Sequence, residues 1–168
     1  MDVEKMMRQA GFDPADFGSA YVFGNDTENI TNPALADDLA ELVRLGVKTA
    51  TTSALIDYER ENEALPVADG KVDLILNSTL ELVAIVRNRN VYVTTFDQVS
   101  KEHAFKEGEG LPEHCFGKKF EEVSESDRSF VLEYWRRVHE QFFRRTNVYS
   151  PKMRVVCEEF EVLYPISH

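Results

Sequence analysis

The strongest constraint on the fold is a stretch in the middle of the chain where hydrophobic residues recur at every second position. Residues 71–76 read Lys-Val-Asp-Leu-Ile-Leu, which is typical of a strand with one buried face. Apolar runs follow a turn and cover residues 82–86 and 91–96. We therefore expect antiparallel strands here, and residues 87–90 form either a second turn or a bulged continuation of one long strand.

Helical patterns lie on both sides of these strands. Asn32 and Pro33 favour a helix start, and Gly46 can supply the left-handed residue that ends the helix. Ser53 is expected to cap a second helix and Ser100 a third. Strands and helices together predict an α+β protein.

The longest helix is predicted near the end of the chain, where Ser124 is its cap. One stripe of this helix is apolar and is expected to face the core; it carries Val131, Tyr134, Trp135, Val138 and Phe142. A final strand is predicted from Met153 to Tyr164.

The length and composition of the chain suit one domain. The 168 residues are 43% hydrophobic, which is enough for a core. We assign residues 1–20 to an N-terminal helical arm and residues 21–168 to the domain itself. The sequence lacks a membrane-length apolar run and an apolar signal segment, so we predict no membrane partner and a cytoplasmic location.

The charge of the chain limits its partners. Its formal net charge is -11, with 19 Lys and Arg against 30 Asp and Glu. Such a chain repels polyphosphate on average, which disfavours broad, sequence-independent binding of nucleic acid. A small ligand or a short recognised segment fits better.

The cysteines and histidines predict neither a disulfide nor a metal. Cys115 and Cys157 form no CxxC pair, and the histidines show no HxxxH spacing. His114 and Cys115 could supply two ligands, but no second spaced pair accompanies them. We expect no disulfide partner, no metal and no cofactor; the oligomeric state stays open.

The clearest candidate for chemistry is the segment Gly46 to Ser53, in which Lys48 is followed by four hydroxyl residues in five positions. A lysine three residues before Thr51 can place an amine beside a hydroxyl, which suits nucleophile activation or anion binding. The alternative is a solvated strand edge. In a regular strand these two side chains would point to opposite faces, so the functional interpretation requires a bent backbone here.

Two carboxylates and a group of arginines complete the candidate residues. Glu107 and Glu109 alternate with glycines that loosen the backbone, and either carboxylate could orient the lysine or activate water. Arg137 and Arg144 fall near one face of the last helix. That face is either solvated or a contact for phosphate.

Many of these residues occur together, in type and order, in a known family. The shared features include Phe23-Gly24, the run from Gly46 to Ser53, Leu65-Pro66, Gly70, His103-Ala104 with residues 107–110, Trp135 with His139, Phe142-Phe143 and Glu159-Phe160. Over roughly residues 20 to 163 the chain resembles ASCH-domain proteins. The resemblance implies a PUA-like fold, a small bent β-barrel of mostly antiparallel strands flanked by helices, and an association with RNA.

The resemblance also implies site residues. Some ASCH proteins hydrolyse N4-acetylcytidine, and their pattern places the catalytic lysine, threonine and glutamate at Lys48, Thr51 and Glu107. We expect the remaining candidates to bind substrate: Thr49, Thr52, Ser53, Glu109, Arg137 and Arg144. The segment Leu111 to Glu125 departs from the pattern of the family, and an insertion beside the carboxylates could redirect the pocket.

We therefore predict a protein associated with RNA or a modified nucleoside, of the N4-acetylcytidine amidohydrolase type. Its acidity favours the nucleoside over long RNA. The alternatives are a non-catalytic RNA-binding regulator and a ribonuclease that uses the same cleft.

Overall fold

The computed structural model describes residues 1–165, so the last three residues of the predicted 21–168 domain lie outside the described range. The helices are α1 (Val3–Gln9), α2 (Pro33–Arg44), α3 (Leu55–Glu61), α4 (Lys101–Glu107) and α5 (Glu125–Arg145). The strands are β1 (Phe17–Tyr21), β2 (Ala50–Ala54), β3 (Val72–Leu76), β4 (Leu82–Thr95) and β5 (Arg154–Tyr164).

The five strands form one open sheet in the order β1-β3-β4-β5-β2. The pair β1 and β3 is parallel, whereas β3 with β4 and β2 with β5 are antiparallel. The predicted α+β class with mostly antiparallel strands is confirmed. Strand β4 runs without interruption through residues 87–90, so that segment continues the strand and does not turn.

Two of the three predicted serine caps are confirmed. The backbone N–H of His103 donates to Ser100 at 3.0 Å, and that of Asp127 donates to Ser124 at 3.1 Å. The prediction for Ser53 is wrong, because Ser53 lies within β2 and α3 starts without a side-chain cap. Pairing of β2 with β5 extends the chain up to Ala54, and the Ser53 hydroxyl instead bonds the Tyr58 hydroxyl at 2.8 Å.

The described chain divides into two compact units. The first comprises residues 1–46, 68–89 and 160–165, and the second comprises residues 47–67 and 90–159. The first unit has two hydrophobic clusters of its own, which include Ile75 and Leu74. All the candidate site residues belong to the second unit.

The core of the second unit is built on α5. Trp135 and Phe143 are each 1% exposed, and Val131 is fully buried, so the predicted apolar stripe does face the core. Phe142 packs only at the edge of this core, because the helix turns Phe143 inward. Within residues 1–165 we find no helix that is both long enough and apolar enough to cross a membrane.

Candidate functional site

The segment before β2 is irregular and brings Lys48 into the interior. Residues 47–49 belong to no helix or strand, and the Thr49 N–H donates to the Lys106 carbonyl of α4 at 2.7 Å. Gly108 permits this approach, since a Cβ atom there would lie 2.7 Å from the Val47 carbonyl oxygen. Its φ of +73° also favours glycine. The end of α4 therefore packs directly against the lysine segment.

The Lys48 side chain is only 1% exposed. Its amine donates to the Ala50 carbonyl at 2.8 Å and to Glu107 Oε1 at 3.3 Å. Glu109 forms a second ion pair with the same amine at 3.8 Å. A buried charge is costly unless it is paired, and these contacts supply the partners.

Glu107 is the last residue of α4 and is also 1% exposed. Its Oε1 atom faces Lys48 and, at 3.5 Å, the Nε2 atom of His139. Its Oε2 atom accepts from the Thr52 hydroxyl at 2.7 Å and from the Trp135 indole N–H, and lies 3.2 Å from His103 Nε2. This carboxylate is surrounded by donors, which leaves it little capacity to accept a further proton from water.

The hydrogen bonds show which ring nitrogen carries a proton in His103 and in His139, the two histidines beside Glu107. Because the Thr52 hydroxyl gives its proton to Glu107, its oxygen accepts at 2.8 Å from His103 Nε2, which therefore carries a proton. His139 Nδ1 lies 2.8 Å from the Trp135 carbonyl, which only accepts, so Nδ1 is the donor there. The Nε2 atom of His139 is consequently the one that faces Glu107.

The charges in this cluster stabilise one another. Burial alone would raise the pKa of Glu107, but the charges of His139 and Lys48 hold it well below its usual range. Burial alone would lower the pKa of His103, but Cys157 and Glu107 outweigh it and raise that pKa to about 9. Burial opposes the charge of His139 as well, yet Glu107 raises its pKa. Glu107 is therefore an ionised carboxylate that the charges of His139 and Lys48 stabilise.

The raised pKa of His103 predicts a stability that falls in mild alkali. The pKa of His103 is about 9 in the folded protein and about 6.5 in an unfolded chain. The stabilisation is therefore complete below about pH 6.5 and is lost as the pH rises towards 9, by up to about 3 kcal/mol. Urea unfolding at several pH values measures it. His103→Gln keeps a donor for Thr52 but cannot titrate, so the free energy of unfolding should change less with pH between about 6.5 and 9 in this variant. An equal dependence on pH in both proteins would contradict the raised pKa of His103.

Glu109 is the carboxylate of the cluster that meets solvent, with 17% of its side chain exposed. It lies between two glycines with positive φ, Gly108 and Gly110. Together with Glu107 and His139 it offers ligand atoms within 4.8 Å of one another, a spacing that suits a cation. The Lys48 ammonium lies beside the same two carboxylates and would compete with a metal ion for them.

The two threonines of β2 point in opposite directions. β2 pairs with β5 in unbroken register, so successive side chains alternate between the faces of the sheet. Thr52 reaches Glu107, whereas Thr51 lies on the other face with Ser53, opposite Glu158 of β5. The structure thus brings Lys48, Thr52, Glu107 and Glu109 together, and Thr51 and Ser53 are not part of that cluster. Thr49 contacts α4 through its backbone.

The predicted arginines lie on the exposed surface of α5. Arg137 stacks over the Tyr134 ring at 5.3 Å, and Arg144 lies over the Tyr149 ring at 4.5 Å. Arg144 also pairs with Glu140 at 3.1 Å. Neither arginine contacts the Glu107 cluster among the residues that the structure describes.

Three partners of Glu107 were not predicted from the sequence, namely His103, Trp135 and His139. A signal was present, because His103 and Glu107 are four residues apart on α4, as are Trp135 and His139 on α5, and such pairs share a helix face. The Trp135 and His139 rings do stack, with centroids 4.1 Å apart. Trp135 is thus both core and hydrogen-bond donor.

The fold is α+β and of the PUA-like class. The buried cluster of ionised side chains lies beside β2, an edge strand of the sheet. The chain belongs to the ASCH domain family, whose model matches residues 19–164. Proteins of this family are generally associated with RNA. A search of curated proteins gives no match.

The solved structures that resemble the chain include the following two. Protein EF3133 of Enterococcus faecalis V583, described as a DUF984 family protein, is 28% identical with a TM-score of 0.70; the match covers 96% of this chain and 85% of that one. An ASCH domain from Lactobacillus crispatus JV V101 is 23% identical with a TM-score of 0.61, covering 86% and 78%. The second likeness supports the fold alone.

Proposed function

We propose that this ASCH protein is a hydrolase that removes the acyl group from an N4-acylated cytidine, free or within RNA. The observation that carries the proposal is the buried ion pair of Lys48 with Glu107, joined by the partly exposed Glu109. Buried, mutually perturbed charges are costly to a fold and cluster at functional sites. Membership of the ASCH family, whose proteins are generally associated with RNA, supports a nucleoside as the substrate class.

The roles follow from the contacts that each group makes. The Lys48 amine already donates to Ala50 and pairs with both carboxylates, so we propose that the acyl oxygen replaces Glu109 as its partner and that the amine then stabilises the negative charge that develops there. Glu107 is a positioning residue, because its oxygens already accept from the surrounding side chains. Glu109 is nearest to solvent and is the carboxylate best placed to accept a proton from water.

The reaction balances without an added reagent. Water attacks the acyl carbon, its proton passes to Glu109, and the bond from the acyl carbon to N4 breaks. N4 takes up that proton, which releases cytidine and a free carboxylic acid. Thr51 lies on the opposite face of β2 from Thr52 and Glu107, so we assign it no part in this step; Thr52 positions Glu107.

The proposal is tested by incubating the protein with N4-acetylcytidine and, separately, with single-stranded RNA, each with and without a chelator. We expect free cytidine to appear at the same rate in chelator and RNA to stay intact. RNA fragments would favour a ribonuclease. Absence of both products would favour a binding protein.

A binding function is the second candidate, and the exposed arginines favour it. Reversing Arg137 and Arg144 to glutamate should weaken RNA binding at low salt, because each lost cation removes a phosphate contact. The fold should persist, since exposed charges contribute little to stability. Fluorescence anisotropy with a labelled RNA measures the affinity. The matched control reverses Arg8, an exposed arginine of α1; equal affinity in both variants would exclude the α5 arginines.

A further inference from the structure

A second group of ionisable side chains lies at the start of α5. His114 and Cys115 belong to a short 3-10 turn, Glu113–Cys115, and Asp127 lies in the first turn of α5. Their potential ligand atoms all lie within 4.8 Å of one another. None of the three contacts Lys48 or Glu107 in the described chain, and the proposed hydrolysis does not use them.

Hydrogen bonds keep the potential ligand atoms of these three side chains close together. His114 Nε2 lies 2.9 Å from Asp127 Oδ2. The Ser124 hydroxyl donates to the same carboxylate oxygen at 3.0 Å and accepts from the Asp127 N–H, which fixes the aspartate. Cys115 is fully buried against the core, whereas the His114 side chain is 63% exposed. The group is therefore open to solvent on its histidine side.

We infer that His114, Cys115 and Asp127 form a binding site for a divalent transition-metal ion, with Zn²⁺ the best fit. A thiolate and an imidazole select such an ion over Mg²⁺ or Ca²⁺, which prefer oxygen ligands. The charge of Zn²⁺ is balanced by one thiolate and one carboxylate. Water completes the four ligands that zinc prefers.

The site would fasten an irregular segment to a helix. Residues 111–124 contain only short 3-10 turns, and they lie within the segment from Leu111 to Glu125 that we expect to depart from the family pattern. A bound ion would join its Cys115 side to Asp127 of α5. The segment starts two residues after Glu109, so the bound ion would also limit the movement of the chain beside the proposed active site.

Cobalt is a suitable probe, because tetrahedral Co²⁺ is coloured and a cobalt-thiolate bond adds a charge-transfer band. The full chain, freed of metal and kept reduced with a phosphine, is titrated with Co²⁺ and then with Zn²⁺. We expect one equivalent to bind with a thiolate band that Zn²⁺ abolishes. Cys115→Ser should remove the band, and His114→Gln should weaken Co²⁺ binding by at least about tenfold.

Further variants distinguish this site from the cluster around Glu107. Cys157→Ser should keep the band, and Glu109→Gln should keep it as well, which excludes binding at that cluster. His114→Gln changes an exposed side chain and should leave the fold intact, so its result stands even if Cys115→Ser proves unstable. A wild-type titration without a thiolate band, or a band that survives in His114→Gln at unchanged affinity, would overturn the inference.

Discussion

Replacing Glu107 with leucine is expected to destabilise the protein by about 3–5 kcal/mol, because it leaves the buried charge of Lys48 and several donors without their acceptor. Urea unfolding measures the loss. Glu125→Leu is the matched control, since this exposed glutamate also pairs with a lysine, Lys101. Its cost should be far smaller, because exposed ion pairs contribute little to stability.

A double variant tests whether the loss arises from the pair itself. Lys48→Met together with Glu107→Leu should cost less than the sum of the two single changes, because the loss of the Lys48–Glu107 ion pair is counted in both single variants but occurs only once in the double variant. Additive losses would show that the two side chains do not interact in solution.

Lys48→Met is expected to reduce kcat/KM for N4-acetylcytidine by at least about a hundredfold, because the donor to the developing oxyanion is lost. The assay follows cytidine release at a temperature where unfolding measurements show the variant to be folded. Lys101→Met, which removes an exposed lysine of α4, is the control and should retain the wild-type rate. A folded Lys48→Met protein with unchanged activity would remove Lys48 from the mechanism.

The elements that depend on local pattern could be predicted from the sequence. The apolar stripe around Trp135 and the Ser124 cap depend on only a few residues of chain, and both are present. The cap assigned to Ser53 failed because its segment pairs with β5, about one hundred residues later. The parallel pairing of β1 with β3 has the same long-range character. Such contacts leave no periodic signal.

The candidate site also combines residues that could be predicted from local sequence with contacts that depend on long-range pairing. Lys48 and Glu107 could be singled out from the sequence, and the structure places them 3.3 Å apart. Which threonine faces Glu107 depends on the register of β2, since a shift of one residue reverses every side chain. Asp127 could not be assigned beside His114 and Cys115, because the turn that joins them spans a segment without a clear period. The role of Thr51 stays a prediction.

The most direct test of the proposed hydrolysis is the rate of cytidine release from N4-acetylcytidine by the wild-type protein and by Glu109→Gln. Glu109 is only 17% exposed and pairs with the buried Lys48, so the rates are compared at a temperature where unfolding measurements show Glu109→Gln to be folded. We predict release by the wild type and a loss of at least about a hundredfold in the variant. Glu102→Gln, at an exposed glutamate of α4, should be as active as the wild type. A wild type that releases no cytidine, or a Glu109→Gln protein with an unchanged rate, would contradict the proposed mechanism.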